Sequence, residues 1–215
     1  MSSELEASRG WVGDGLAAEF PELAVFHTTV PARSGRTPAS VKERLRAMSD
    51  RFTGQKAMQL RQQPVPWAYR VFFRQVGIDP DDHRTPAEAV ALERMRHGGF
   101  KSRNLLDDAL VIATVETGVP VLAFDADRLD GEIGVRLAER GERLGGEGRE
   151  LRGGEIVVAD AARPLAVLFG DTSEQRGVIP STERMLLLAV RVKGVPDVSV
   201  EEALWTVAEI LTGDG

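Results

Sequence analysis

The order in which helical and strand-like segments follow one another is the sequence feature that most constrains this fold. Up to Gly118 most segments have the apolar spacing of helices, and after it short apolar runs alternate with Gly and Asp clusters. A doubly wound nucleotide-binding domain alternates strands and helices strictly, and this chain does not. We therefore expect an α+β fold, a mixed β-sheet domain with flanking helices.

Local start and stop signals place the elements of the first half. Leu23–Val30 is rich in apolar and β-branched residues and predicts a strand that ends at Pro31. Thr37-Pro38 predicts the start of a helix with threonine as its N-cap. Three more helices are predicted: about Pro66–Gln75, one from the capping box of Thr85 and Glu88 to Gly98-Gly99, and one from Asn104 to Gly118.

Five short strands and one last helix are predicted after Gly118. Ser199 and Glu202 form a second capping-box pattern, which predicts the start of a C-terminal helix with one apolar face. The predicted strands are Val119–Phe124, Ile133–Leu137, Ile156–Ala159, Leu165–Phe169 and Met185–Val192.

Length and composition indicate one globular domain over residues 1–215. The chain is 42% hydrophobic and 28% charged, and it has no cysteine, which excludes disulfides, thiolate metal ligands and cysteine nucleophiles. No apolar run is long enough to span a membrane, and Met1–Gly15 lacks the pattern of a signal peptide. We expect a cytoplasmic protein with no membrane partner, and the oligomeric state stays open.

Charge is distributed unevenly along the chain. The net charge of −6 argues against a general nucleic-acid binder, but residues 33–74 hold ten Lys and Arg against two acidic residues. This basic region either contacts RNA phosphates or is a solvated helix face paired with acidic residues of the second half. The residues expected to contact RNA are Arg33, Arg36, Lys42, Arg44 and Arg46.

Few residues form a recognisable catalytic motif. The three histidines have no second ligand nearby, and the glycine-rich stretch at 145–148 lacks the Lys-Ser/Thr pair of a phosphate-binding loop. Neither a metal nor a cofactor is expected. Asp107 and Asp108 point about 100° apart on a helix and cannot share a metal, so one of them faces a pocket or caps a neighbour. Glu142 and Asp171 lie in loops after predicted strands, where carboxylates can be functional or simply solvated.

Two long segments resemble a known family. They read WAYRVFFRQVGIDPDDHRTPAEAVALERM and NLLDDALVIATVETGVPVLAFDADRLDGEIGVRLAERGE. Their order and spacing are similar to the B3/4 domain, the editing module of the bacterial phenylalanyl-tRNA synthetase β subunit, which also occurs as free-standing proteins. The resemblance covers about residues 66–192. Residues 1–65 precede it with a strand and a basic helix, and a C-terminal helix at 199–212 follows.

The resemblance implies a pocket among the sheet strands that takes a mischarged tRNA 3′ end and hydrolyses its ester without a metal. Several of its polar positions are aliphatic here. The histidine of the family's His-Ala-Phe-Asp motif corresponds to Leu122, its Thr-Asn pair to Leu110-Val111, and its later glutamate to Leu188. The residues expected to bind substrate are Arg70, Asp108, Leu122, Phe124, Gly170 and Leu188.

Three functions remain open at this point. The first is a free-standing editor of mischarged tRNA, with Asp171 or Glu142 orienting a water and Arg70 helping to steer the tRNA. The second is a non-catalytic module that binds RNA or an amino acid in the same pocket, since an aliphatic pocket holds a water or an ammonium group poorly. The third is an unrelated small-molecule enzyme on the same fold. The partners expected are tRNA or aminoacyl-tRNA, or a small amino-acid ligand. Alternatively, Arg70, Asp108, Glu142 and Asp171 pair with one another to hold helix against sheet.

Overall fold

The computed structural model describes residues 7–32, 34–174 and 177–213. Within them a mixed seven-stranded sheet is flanked by seven helices, which confirms the expected α+β class. The helices are α1 (Asp14–Glu19), α2 (Ala39–Arg51), α3 (Gly54–Leu60), α4 (Pro64–Gln75), α5 (Pro86–His97), α6 (Leu105–Thr117) and α7 (Asp197–Thr212). The strands are β1 (Ser8–Val12), β2 (Ala24–Pro31), β3 (Val121–Asp125), β4 (Gly134–Leu137), β5 (Ile156–Ala159), β6 (Pro164–Val167) and β7 (Arg184–Arg191).

The strands lie in the order β3-β7-β2-β1-β4-β5-β6. β1 and β4 run parallel and the other neighbouring pairs are antiparallel. The long strand β7 therefore lies between β3 and β2, while β6 forms the opposite edge of the sheet. Helix α7 packs against β7 and β2 and also against α6.

Burial of apolar side chains explains this layering. Six consecutive residues of β7, Met185–Val190, are buried, as expected for a strand covered on both faces. Helix α7 contributes Val200, Leu204 and Val207 to the same core, at the spacing of one helix face. Smaller apolar clusters lie beside β5 and between α3 and α5.

The helix signals of the middle segment are confirmed. Thr85 and Glu88 form both hydrogen bonds of the capping box, and the Asn104 side chain accepts a hydrogen bond from the amide of Asp107. Gly98 and Gly118 end their helices in the left-handed conformation. At Gly118 a side chain is also excluded by space, because an added Cβ would lie 2.9 Å from Cδ of Pro66.

Two predicted helix starts are wrong in detail. Helix α7 begins at Asp197, directly after Pro196, so the predicted capping box of Ser199 and Glu202 falls inside the helix. Helix α2 begins after Pro38, and Thr37 does not cap it. In both places proline supplies the extended backbone that precedes a helix, and the Thr37 hydroxyl is used instead in a tertiary hydrogen bond.

Three short elements were not predicted, namely β1, α1 and α3. The strand β1 contains Gly10, which normally weakens a strand pattern. Here the glycine is needed for close approach, because an added Cβ would lie 2.5 Å from the carbonyl oxygen of Ile133. Helices α1 and α3 span six and seven residues, too few to show an apolar period.

Replacing Tyr69 by phenylalanine is expected to destabilise the fold by about 1 kcal/mol. The Tyr69 hydroxyl is fully buried and donates a 2.8 Å hydrogen bond to the carbonyl of Val190, which ties α4 to β7. The same burial raises the pKa of the phenol. Urea unfolding monitored by circular dichroism measures the change, and an unaltered midpoint would show that the bond contributes nothing net.

Candidate functional site

A row of side chains crosses four strands of the sheet at one level. In the strand register Leu122 of β3 is opposite Leu188 of β7, Leu188 is opposite His27 of β2, and His27 is opposite Ser8 of β1. Residues opposite one another in a sheet project from the same face. We call Leu122, Leu188, His27 and Ser8 the sheet row. It places the two leucines side by side as one aliphatic pair.

Of the other positions that correspond to the family's pocket, one lies on β3 and two lie on α6. Phe124 is two residues beyond Leu122 and is fully buried, so it shares the face of Leu122. Leu110 and Val111 follow Asp108 on α6 and are partly buried against the main core. This face of β3 and β7 is therefore lined by aliphatic and aromatic side chains.

His27 is the polar side chain of the sheet row that can exchange a proton near neutral pH, and no local sequence pattern marks it as functional. Its imidazole is about half-buried and hydrogen-bonds to the backbone of Arg9. Burial lowers the pKa of His27 below its ordinary value near 6.5, against smaller opposing effects from that hydrogen bond and from Glu132. His27 is consequently neutral at pH 7, the form in which a histidine acts as a base.

Asp108 is buried, 2% exposed, and connects three chain segments. Its carboxylate accepts hydrogen bonds from the hydroxyls of Thr37 and Ser102, both at 2.6 Å, and from the amide of Arg103 at 2.9 Å. These bonds hold the segments that precede α2 and α6 against each other. Through Thr37, Asp108 therefore fixes the position of the start of the basic region.

Arg70 lies in a separate buried network. Its guanidinium contacts Glu88 at 2.5 Å and Asp81 at 2.8 Å, and Glu88 also accepts a hydrogen bond from the Thr85 hydroxyl. The side chain of Arg70 is 3% exposed. This network joins α4 to the start of α5. Both terminal nitrogens of Arg70 are engaged in it, so the guanidinium is not accessible to a ligand.

The two carboxylates expected to be catalytic lie towards the β6 side of the sheet, and each is engaged by an arginine. Glu142 accepts two hydrogen bonds from Arg136, and this pairing lowers the pKa of Glu142. Asp171 is 3.1 Å from Arg149 and 72% of its side chain is exposed. Because its pKa is held low, Glu142 is a weak base at pH 7.

Arg70, Asp108, Glu142 and Asp171 do not come together in one place, nor do they pair with one another. Each has partners of its own on different elements. Gly170 precedes Asp171 in the turn after β6, where an added Cβ would lie 3.1 Å from a methyl group of Val167. The expected site residues thus lie in four places: the sheet row and its face, the Arg70 network, the Asp108 network, and the loops beside β4–β6.

The basic residues expected to contact RNA differ in their partners. Arg44 forms a two-point ion pair with Glu116 of α6, which agrees with the solvated-face alternative for that residue. Arg36 and Arg46 are exposed and Lys42 is half-buried, and none of the three has an ion-pair partner among residues 7–32, 34–174 and 177–213. Arg33 lies outside the described residues.

Two further findings concern metals and membranes. Over the described ranges, no group of three or more His, Asp and Glu side chains is arranged to hold a metal ion. No helix in that part of the chain has the length and apolarity needed to cross a bilayer.

Comparison with known proteins assigns the fold to a family. The family model of the B3/4 domain matches residues 68–200, which include most of α4, β3 and β7. Phenylalanine–tRNA ligase β subunits of Vibrio vulnificus, Pectobacterium atrosepticum and Yersinia pestis are 39%, 38% and 37% identical to the chain over 100 residues. That alignment covers 44% of this chain but only 12% of each relative. The chain belongs to the B3/4 domain family.

Proposed function

We propose that this chain acts on aminoacyl-tRNA and hydrolyses the ester of a mischarged tRNA. The observation that carries the proposal is the family match, which spans the β3 and β7 strands of the sheet row and links the chain to subunits named as phenylalanine–tRNA ligase. The alignment covers only 12% of each of those subunits, so the activity of the complete subunit is not assigned to this chain.

The chemistry of the sheet row supports hydrolysis by a histidine base. An aminoacyl ester is labile, so a positioned water and a base are sufficient. Neutral His27 accepts a proton from the water as the water oxygen attacks the ester carbonyl. When the C–O bond breaks, the imidazolium returns that proton to the departing ribose oxygen, and the free amino acid and the tRNA are the products.

Three cations without an ion-pair partner in the described part of the chain support an RNA partner, namely Arg36, Lys42 and Arg46. Phosphates bind to Lys and Arg that are not already neutralised by carboxylates. Asp108 holds the segment that begins with Arg36 in a defined position through Thr37. The surface around these cations is the proposed tRNA contact.

Binding without hydrolysis is the second candidate, and the Leu122–Leu188 pair favours it. Both side chains are aliphatic and directly opposite each other, so neither can hold a water or an ammonium group. In this alternative the same face binds the aminoacyl end and releases it unchanged.

Incubating the purified chain with a panel of mischarged tRNAs separates these functions. We expect at least one aminoacyl-tRNA to lose its amino acid faster than in buffer. Binding of aminoacyl-tRNA with no acceleration for any amino acid would support the non-catalytic candidate. Absence of both binding and hydrolysis would exclude the proposal.

Replacing Arg36 and Arg46 together by alanine is expected to weaken tRNA binding and its dependence on salt. Two lost phosphate contacts should make the slope of log affinity against log salt shallower by roughly 1.5 to 2. Filter binding over a series of salt concentrations measures the slope. The double variant Arg140→Ala with Arg152→Ala changes charge equally at exposed positions elsewhere and should leave the slope unaltered. An equal effect of both variants would place the tRNA contact elsewhere.

A further inference from the structure

A cavity of about 330 Å³ lies between α5 and α6, apart from the sheet row. One wall is the face of α5 from Ala89 to His97, the other is the first turns of α6, and the segment 99–103 lines it as well. Its volume lies at the lower end of the range for small-molecule sites. We call this cavity the α5–α6 groove. It contains no residue of the sheet row.

Part of the lining is apolar and remains accessible to a ligand. Val90 of α5, Val111 of α6 and Phe100 between them are each partly exposed, and all three line the groove. Accessible aliphatic and aromatic surface in a concave site favours an apolar group of a ligand.

The charged part of the lining is balanced in sign. Three basic and three acidic residues line the groove, Arg94, Lys101 and Arg103 against Glu93, Asp107 and Asp108. Glu93 also contacts His97 and Arg103, and the buried Asp108 carboxylate already accepts three hydrogen bonds. A polyanion such as an RNA backbone requires a surplus of positive charge, and the groove has none. A small zwitterionic ligand, in contrast, can pair its negative and positive groups with basic and acidic side chains of the same cavity.

Some polar groups of the groove can still form hydrogen bonds or ion pairs with a ligand. Lys101 is exposed and has no ion-pair partner within the described residues. Asp107 accepts a hydrogen bond from the Asn104 side chain through Oδ2, one of its two carboxylate oxygens.

We propose that the α5–α6 groove binds a free α-amino acid with an apolar side chain. The ligand carboxylate contacts Lys101, its ammonium group contacts Asp107, and its side chain lies against Val90 and Val111. This site goes beyond the proposed deacylation, because it needs neither tRNA nor the sheet row.

Isothermal titration of the full chain with L-amino acids, without tRNA, tests the site. We expect at least one of leucine, isoleucine, valine, methionine and phenylalanine to bind, with aspartate and lysine weaker. The corresponding amino-acid amide should bind at least about tenfold more weakly, because it lacks the carboxylate charge. Failure of every amino acid to bind at about 10 mM would overturn the proposal, whatever the deacylation assay shows.

Variants locate the binding in the groove. Lys101→Met and Asp107→Asn should each weaken binding about tenfold, since each removes one charge-assisted contact. Val111→Trp should abolish it by filling the groove. Lys56→Met is the matched control for Lys101, being an exposed lysine on α3 outside the groove. Unchanged affinity in all three groove variants, or a loss as large in Lys56→Met, would contradict the assignment.

Discussion

Replacing His27 by glutamine is expected to slow the hydrolysis of the chain's best mischarged tRNA by about 100-fold. A general base contributes roughly 100- to 10,000-fold, and we take the lower value because an aminoacyl ester is already labile. Glutamine keeps a side chain of similar size that can hydrogen-bond to the Arg9 backbone, but it cannot accept the proton. The measurement is single-turnover deacylation of a tRNA labelled in its amino acid.

The pH dependence of the rate provides a second readout of His27. The base must be neutral, and burial lowers the pKa of His27, so the neutral form persists below pH 6.5. We expect the rate to fall with decreasing pH at a midpoint below 6.5, and this step should be absent from His27→Gln. A midpoint clearly above 6.5 would mean that another group is the base.

Two control variants complete this experiment. His83→Gln removes an exposed histidine outside the sheet row and should leave the rate unchanged. The double variant Glu142→Ala with Asp171→Ala removes the carboxylates predicted from the sequence, and their ion pairs with arginines lead us to expect a small effect. If this double variant abolished hydrolysis while His27→Gln retained it, the carboxylates would be the catalytic groups.

Replacing Asp108 by alanine is expected to lower the free energy of unfolding by about 3 kcal/mol. Each hydrogen bond to a buried charged group contributes about 1.5 to 3 kcal/mol, and Asp108 accepts three. Their effects are not additive, because the exposed Ser102 can turn its hydroxyl towards water once the carboxylate is gone. Chemical denaturation of both proteins gives the difference directly.

The neighbouring residue supplies the control for Asp108. Asp107→Ala removes an aspartate from the same helical turn, where the side chain is only partly buried and interacts with the helix N-terminus. We expect it to cost less than about 1 kcal/mol. Equal destabilisation by the two variants would show that the buried hydrogen bonds of Asp108 are not the source of the effect.

Structural features that depend on contacts within a few residues were predicted well from the sequence. The capping box of Thr85 and Glu88, the Asn104 cap and the left-handed Gly118 depend on contacts three or four positions apart. Strand β5 was predicted with its observed bounds, because its apolar run is flanked by turn residues. Short elements such as α3 were missed, since seven residues are too few to establish a period.

The candidate site was predicted less completely, and the reason is sequence separation. Leu122 and Leu188 were identified through the family resemblance, and the structure places them side by side. His27 was dismissed as an isolated histidine because no ligand lies near it in sequence, yet it is opposite Leu188 across β2 and β7. The arginine partners of Glu142 and Asp171 were missed for the related reason that pairing depends on where loops and strands meet.

The α+β class, both ends of α5 and α6, the long strands and the family of this chain could be predicted from the sequence alone. These follow from local conformational preferences and apolar periodicity, which a single chain segment carries. The folded chain was needed to identify the sheet row, the partners of Asp108 and Arg70, and the α5–α6 groove. Strand register, buried hydrogen bonds and cavities arise between segments that are distant in sequence, so no local pattern specifies them.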